Sequence, residues 1–205
     1  LPVYSDDGII LGVRDKNVEY MMNDSATVLA FVQEGDLWSY SPGNGKVNQV
    51  FSFRKTEDGD FRDSRIQHDI KIVRVTDAGD IDFVLYGYMN RGSHEGYEGI
   101  GVYHYNPDKN VAEERAFIPV SESFEFLKKD LEKLSYVNEE NELFLLLAKS
   151  LYKINIEDNS SEVLEEGIKN ANFVSSDNND HAAWLVSEGD EKGNIKEINF
   201  DTGET

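Results

Sequence analysis

The segment Arg91-Gly92-Ser93-His94-Glu95-Gly96-Tyr97-Glu98-Gly99 packs a guanidinium, an imidazole, two carboxylates and a phenol between glycines. Tyr97 offers a stacking face, and Arg91, His94 and Glu95 offer hydrogen-bond donors and acceptors, so these residues have the chemistry to hold a peptide or a sugar. The same residues would equally make a polar hairpin tip, with the glycines supplying the turn. A second stretch, Glu57-Asp58-Gly59-Asp60-Phe61-Arg62-Asp63, presents Asp58, Asp60 and Asp63 as oxygen ligands. A hard cation such as Ca²⁺ takes roughly six to eight of them. Arg62 intrudes and the later Glu of an EF-hand is missing, so a solvated charge run is the expectation and no cofactor is required. The acidic turn around Glu188, Asp190 and Glu191 reads the same way.

The remaining chemistry is sparse. His68, His94, His104 and His181 are scattered without metal-ligand spacing, and no H-E-x-x-H frame, P-loop, dinucleotide fingerprint or G-x-S-x-G elbow occurs. There is no cysteine, which excludes disulfides, thiol catalysis and thiolate metal sites. The expectation is therefore a non-catalytic chain. Trp38 and Trp184 fall in the middle strands of their units and are expected in the core.

The elements that must position these residues are strands. Short β-branched and aromatic runs alternate with turns rich in Gly, Asn, Asp and Ser. The first unit runs from Tyr20-Met21-Met22 through Asn23-Asp24-Ser25, Val28 to Val32, Gly35-Asp36, Leu37 to Tyr40 and Pro42-Gly43-Asn44-Gly45 to Val47–Phe53. The same order of parts returns from Ile70 to Ile118, from Leu134 to Leu164, and from Asn172 to Gly203. One stretch breaks the pattern: Phe124, Leu127, Leu131 and Leu134 recur at helical spacing. They predict a short helix within 121–134, capped by Ser123, with the Lys-Lys-Asp-Leu-Glu-Lys run in solvent.

A four-stranded meander repeated every 40 to 65 residues or so is the sequence signature of propeller blades. The fourth unit, with Ser176-Asp177, Ala182-Ala183-Trp184 and Ile198-Asn199-Phe200-Asp201-Thr202-Gly203-Glu204, resembles blades of the TolB-like and related bacterial β-propeller families. That resemblance implies an all-β, β-propeller-like domain over 1–205 and an extracytoplasmic setting, although the missing cysteines suit a cytosol equally well. The four blades fall at roughly 14–53, 70–118, 134–166 and 170–205. The fourth lacks an outermost strand, which residues 8–13 are placed to supply in a closed ring. An open arc cut from a longer propeller fits as well, and its bare edges would invite a second copy to add strands.

Composition bounds the partners. The 205 residues are 39% hydrophobic, with 11 Phe and 10 Tyr, enough apolar surface to fold a real core. Forty acidic against 20 basic residues give a net charge of −20, which repels phosphate backbones and anionic lipid surfaces and turns expectation away from nucleic acid and direct membrane insertion. In a four-stranded blade the first and third turns share one end, and the second turn and inter-blade connections share the other. The long connections 54–69, 89–99, 119–133 and 187–194 all belong to the second end. Loops gathered at one end are where repeat folds build binding sites. The functional expectation is thus an extracytoplasmic binding or scaffold module that meets a protein or glycan there. An accessory part of a peptide or glycan hydrolase, or a structural spacer in a long surface protein, are the alternatives.

Overall fold

A computed structural model describes residues 2–4, 10–13, 18–33, 35–52, 67–88, 98–120, 122, 124–175, 181–187 and 194–205. The chain divides into two compact units, Leu1–Pro119 and Val120–Thr205.

The first unit opens with a short antiparallel pair, β1 (Pro2–Tyr4) and β2 (Ile10–Val13). The described partner of β2, which lies within the segment placed to close the fourth sheet, is therefore β1. Two meanders follow: β3 (Tyr20–Met22), β4 (Leu29–Gln33), β5 (Asp36–Ser41) and β6 (Lys46–Phe51), then β7 (Gln67–Val75), β8 (Ile81–Tyr88), β9 (Glu98–Asn106) and β10 (Val111–Pro119). Each is a four-stranded antiparallel sheet with strands in chain order. The pleat sends alternate side chains to opposite faces. Ala30 and Leu37 of the first sheet thereby pack with Ile72, Ile81, Phe83 and Leu85 of the second in one buried cluster. Phe51, Phe83 and Tyr103 meet in that cluster with ring centroids 5.0 to 5.3 Å apart.

The second unit begins with α1 (Phe124–Lys133), inside the predicted window; Ser123, the expected cap, lies outside the described residues. Then come β11 (Ser135–Val137), β12 (Glu142–Leu147), β13 (Ser150–Asn155) and β14 (Ser161–Glu165), a third four-stranded meander, and β15 (Ile168–Ser175), β16 (His181–Ser187) and β17 (Ile195–Asn199), a three-stranded one. Phe144, Leu146 and Leu151 of the third sheet pack with Ala183, Leu185 and Phe200 of the fourth, the Phe144 and Phe200 rings stacking at 4.2 Å. Leu127 and Leu131 bury the inner stripe of α1 against β12 and β15. No described helix is long and apolar enough to cross a membrane. Among the described residues no sheet closes on itself.

The four units therefore stand as read from the sequence, as antiparallel meanders of four, four, four and three strands with one inserted helix. Trp184 departs from expectation. Ala183 and Leu185 take the inner face of β16, so Trp184 stands on the other face beside Asn172 and Glu197 and is 43% exposed. Trp38, by contrast, is partly buried against Phe31 and Tyr40.

Candidate ligand-binding cleft

Arg91, His94, Glu95 and Tyr97 lie in 89–97, and Asp58, Asp60 and Asp63 lie in 53–66, both outside the described residues. The structure does fix the base of the first loop. It leaves the sheet from the β8–β9 end, where Gly87 pairs with Gly99 and Tyr88 with Glu98, which is a second turn as the repeat requires.

In the second unit the corresponding end carries an open cleft of about 310 Å³. Three elements wall it: α1, the β12–β13 turn and the first residues of β15. The helix contributes Phe126, Asp130 and Lys133, the turn Ala148 and Lys149, and β15 Lys169 and Asn170. Phe126, on the outer side of the helix from Leu127 and Leu131, is 60% exposed, with the Lys129 ammonium 5.7 Å from its ring centre.

The β12–β13 turn is an unusual piece of backbone. Leu147 pairs with Ser150, leaving Ala148 and Lys149 as a two-residue loop in which both have positive φ, 47° and 65°. That geometry matches the strand twist and normally selects Asn-Gly or Gly-Gly. An L side chain held there costs about 1–2 kcal/mol per residue, and such strain persists only where neighbours impose it. Two neighbours do so here. The Ala148 amide donates to Asp130 Oδ2 at 3.2 Å, and the Ile168 amide donates to the Lys149 carbonyl at 2.8 Å. Helix, turn and β15 are thereby tied together around the cavity. Burial raises the Asp130 carboxyl above its ordinary value; Lys133, 3.7 Å away, and the Ala148 amide pull against that rise, while Glu122 adds to it.

The opposite end of the same sheets is closed on itself. Asn138, buried in the β11–β12 turn, accepts from the Glu140 and Glu142 amides and donates to Glu142 Oε2 and to the Phe200 carbonyl of the fourth sheet. His181 and Tyr136 both bond Asp201, the two rings stacking at 4.3 Å. The first unit does likewise at its turn end. Asn23 accepts from the Thr27 and Val28 amides and donates to Asp77 of the next sheet at 2.6 Å. The buried carboxylate of Asp82 is held between Arg74 Nε, at 2.7 Å, and His104 Nδ1, at 2.8 Å. His104 and His181 each meet an aspartate through Nδ1. Among the described residues no group of three or more His, Asp or Glu is arranged to hold a metal.

The cleft residues carried almost no signal in the sequence. Lys133 belongs to a run expected in solvent, and Ala148-Lys149 lacks the Gly or Asn that marks a two-residue hairpin. The inserted helix was the only legible sign.

No protein-family model and no curated protein matches the sequence. Solved structures do resemble the fold. The tricorn protease aligns with a TM-score of 0.51 at 14% identity, over 96% of this chain and 18% of its own. Dipeptidyl peptidase 4 of Porphyromonas gingivalis aligns with 0.50 at 10% identity, over 90% of this chain and 31% of its own. TolB from Acinetobacter baumannii gives 0.49 at 12% identity, over 90% of this chain and 41% of its own. The chain thus spans less than half the length of each. At these identities the likeness is one of fold: an all-β assembly of antiparallel meanders of the β-propeller type.

Proposed function

We propose that this chain is a non-catalytic binding module that recognises a protein or glycan partner at its second-turn end. One observation carries the reading. In the second unit that end holds a cavity walled by an inserted helix and a strained turn, while the polar groups of the opposite end are consumed by one another. Pockets of roughly 300 Å³ and upward, with a few convergent polar groups, are of the size that holds small ligands or the tip of a larger one.

The test is thermal melting of the chain against Ca²⁺, EDTA, cell-wall glycans and short peptides, since any ligand of the native state raises the midpoint by mass action. A shift that disappears in Phe126→Ala and Lys169→Gln supports the module and locates its site. A partner indifferent to both variants, yet lost on substitution in the turns around Asn138 or Asn23, would put recognition at the wrong end and sink the reading.

A further inference from the structure

Resting on that reading, we infer that the cleft is built for an acidic sugar, a hexuronate residue whose single carboxylate meets the lysines and whose hydroxyls and ring face meet the rest of the lining. Lys133, Lys149 and Lys169 come from three different elements and converge on one cavity. They do so in a chain with twice as many acidic as basic residues and a net charge of −20. A run of solvated lysines along one helix would not produce this arrangement, which needs the helix, the turn and β15 together.

The rest of the lining argues against a ligand that is only an anion. Asp130 and Glu122 also face the cavity, and Asn170 adds an amide. A sulfate or ionised phosphate has little beyond acceptor oxygens to set against those two carboxylates, whereas a sugar acid can place its carboxylate on the lysines and turn hydroxyl donors toward them. Sugar hydroxyls both donate and accept, so they use carboxylate oxygens and the Asn170 amide alike. Phe126 supplies an exposed aromatic face beside the cavity, as a ring with an apolar side requires. An acidic peptide is the rival occupant. Each of its carboxylates would be repelled by the acidic surface within a Debye length of about 8 Å, whereas a sugar acid bears that cost once.

The strained turn gives the inference a signature that a merely structural role would not produce. Lys149 is a lysine at φ 65°, where glycine is at ease. Lys149→Gly should raise the melting temperature by about 2–4 °C through relief of strain. The same change should weaken binding roughly tenfold or more by removing a charge-assisted contact.

Isothermal titration of the 205-residue chain with three probes decides it: a glucuronate-containing disaccharide, cellobiose and the dipeptide Glu-Glu. The expected result is that only the uronate disaccharide binds. Its affinity should fall roughly tenfold or more in Lys149→Gly and in Lys169→Gln, and drop as salt is raised. Cellobiose binding as well as the uronate, or Glu-Glu binding in its place, overturns the acidic-sugar assignment while leaving the cleft a binding site. Silence from all three also overturns it, and the wider melting screen then judges the binding reading separately.

Discussion

At one end of the third sheet a single buried asparagine, Asn138, satisfies two amides and a carbonyl from the neighbouring sheet. At the other end Ala148 and Lys149 are held in left-handed backbone by an aspartate reaching in from α1. The first end pairs its described buried asparagine with the amides and carbonyl around it. The second keeps strain and charged side chains around a cavity. Saturated polar groups and a strained, charged turn thus sit at opposite ends of the same strands, and substitutions that simplify the two turns should have opposite signs.

The largest effect should come from cutting the helix loose. Leu131 is almost completely buried against the third and fourth sheets, so Leu131→Ala should cost about 2–5 kcal/mol in urea unfolding and abolish any cleft ligand. A loss well under 1 kcal/mol would mean that α1 rests on the surface and that the cavity is not a fixed feature of the unit. Next in size is Asn138→Ala. It strands the Glu140 and Glu142 amides and the Phe200 carbonyl, for about 1–3 kcal/mol, while ligand affinity stays put. Asn23→Ala in the first unit should behave alike, since Asn23 plays the same part for the Thr27 and Val28 amides. Unequal losses would show that the two asparagines are not equivalent devices.

Ala148→Gly probes the other sign. With φ at 47° the methyl is the source of strain, so its removal should stabilise the chain by about 0.5–1 kcal/mol in the same urea assay. A destabilised variant would show that the turn is relaxed and that the contrast between the two ends is false.

How far the fold and the cleft are legible in the sequence follows from what each feature needs. The sheets announce themselves because alternation and turn chemistry are local: Leu143 to Leu147 and the run Asn138-Glu139-Glu140-Asn141 mark a strand and its first turn without help. The helix shows through Leu127, Leu131 and Leu134 for the same reason. Trp184 misled because an aromatic in a middle strand reads as core, and only the registry with Ala183 and Leu185 decides which face it takes. The cleft was illegible because its residues are far apart in sequence. Lys133, Lys149 and Lys169 come to line one cleft only once the helix packs on the sheet, and no local pattern marks an exposed lysine that borders a cleft.

The finest test of the two-ended arrangement is the pH dependence of stability, because the two kinds of end hold aspartates shifted in opposite directions. At the turn end of the first unit, hydrogen bonds from Ser25 and Asn23 hold the Asp77 carboxyl below its ordinary 3.8. The unfolded chain therefore takes up this proton first, and the stability Asp77 contributes is full above 3.8 and lost as pH falls through the folded value. At the cleft, burial raises Asp130, so the folded chain holds its proton the more tightly. Its ionised form costs stability at neutral pH, and that cost is relieved as pH falls through the raised value toward 3.8. Urea midpoints across pH 7 to 3 should separate the two. Relative to Asp130→Asn the natural chain should gain stability on acidification toward pH 4, and relative to Asp77→Asn it should lose stability only below that. Parallel curves for the two comparisons would mean that Asp130 is as well solvated as a surface carboxylate, and the cleft would then lack the buried charge that sets it apart from the turn end.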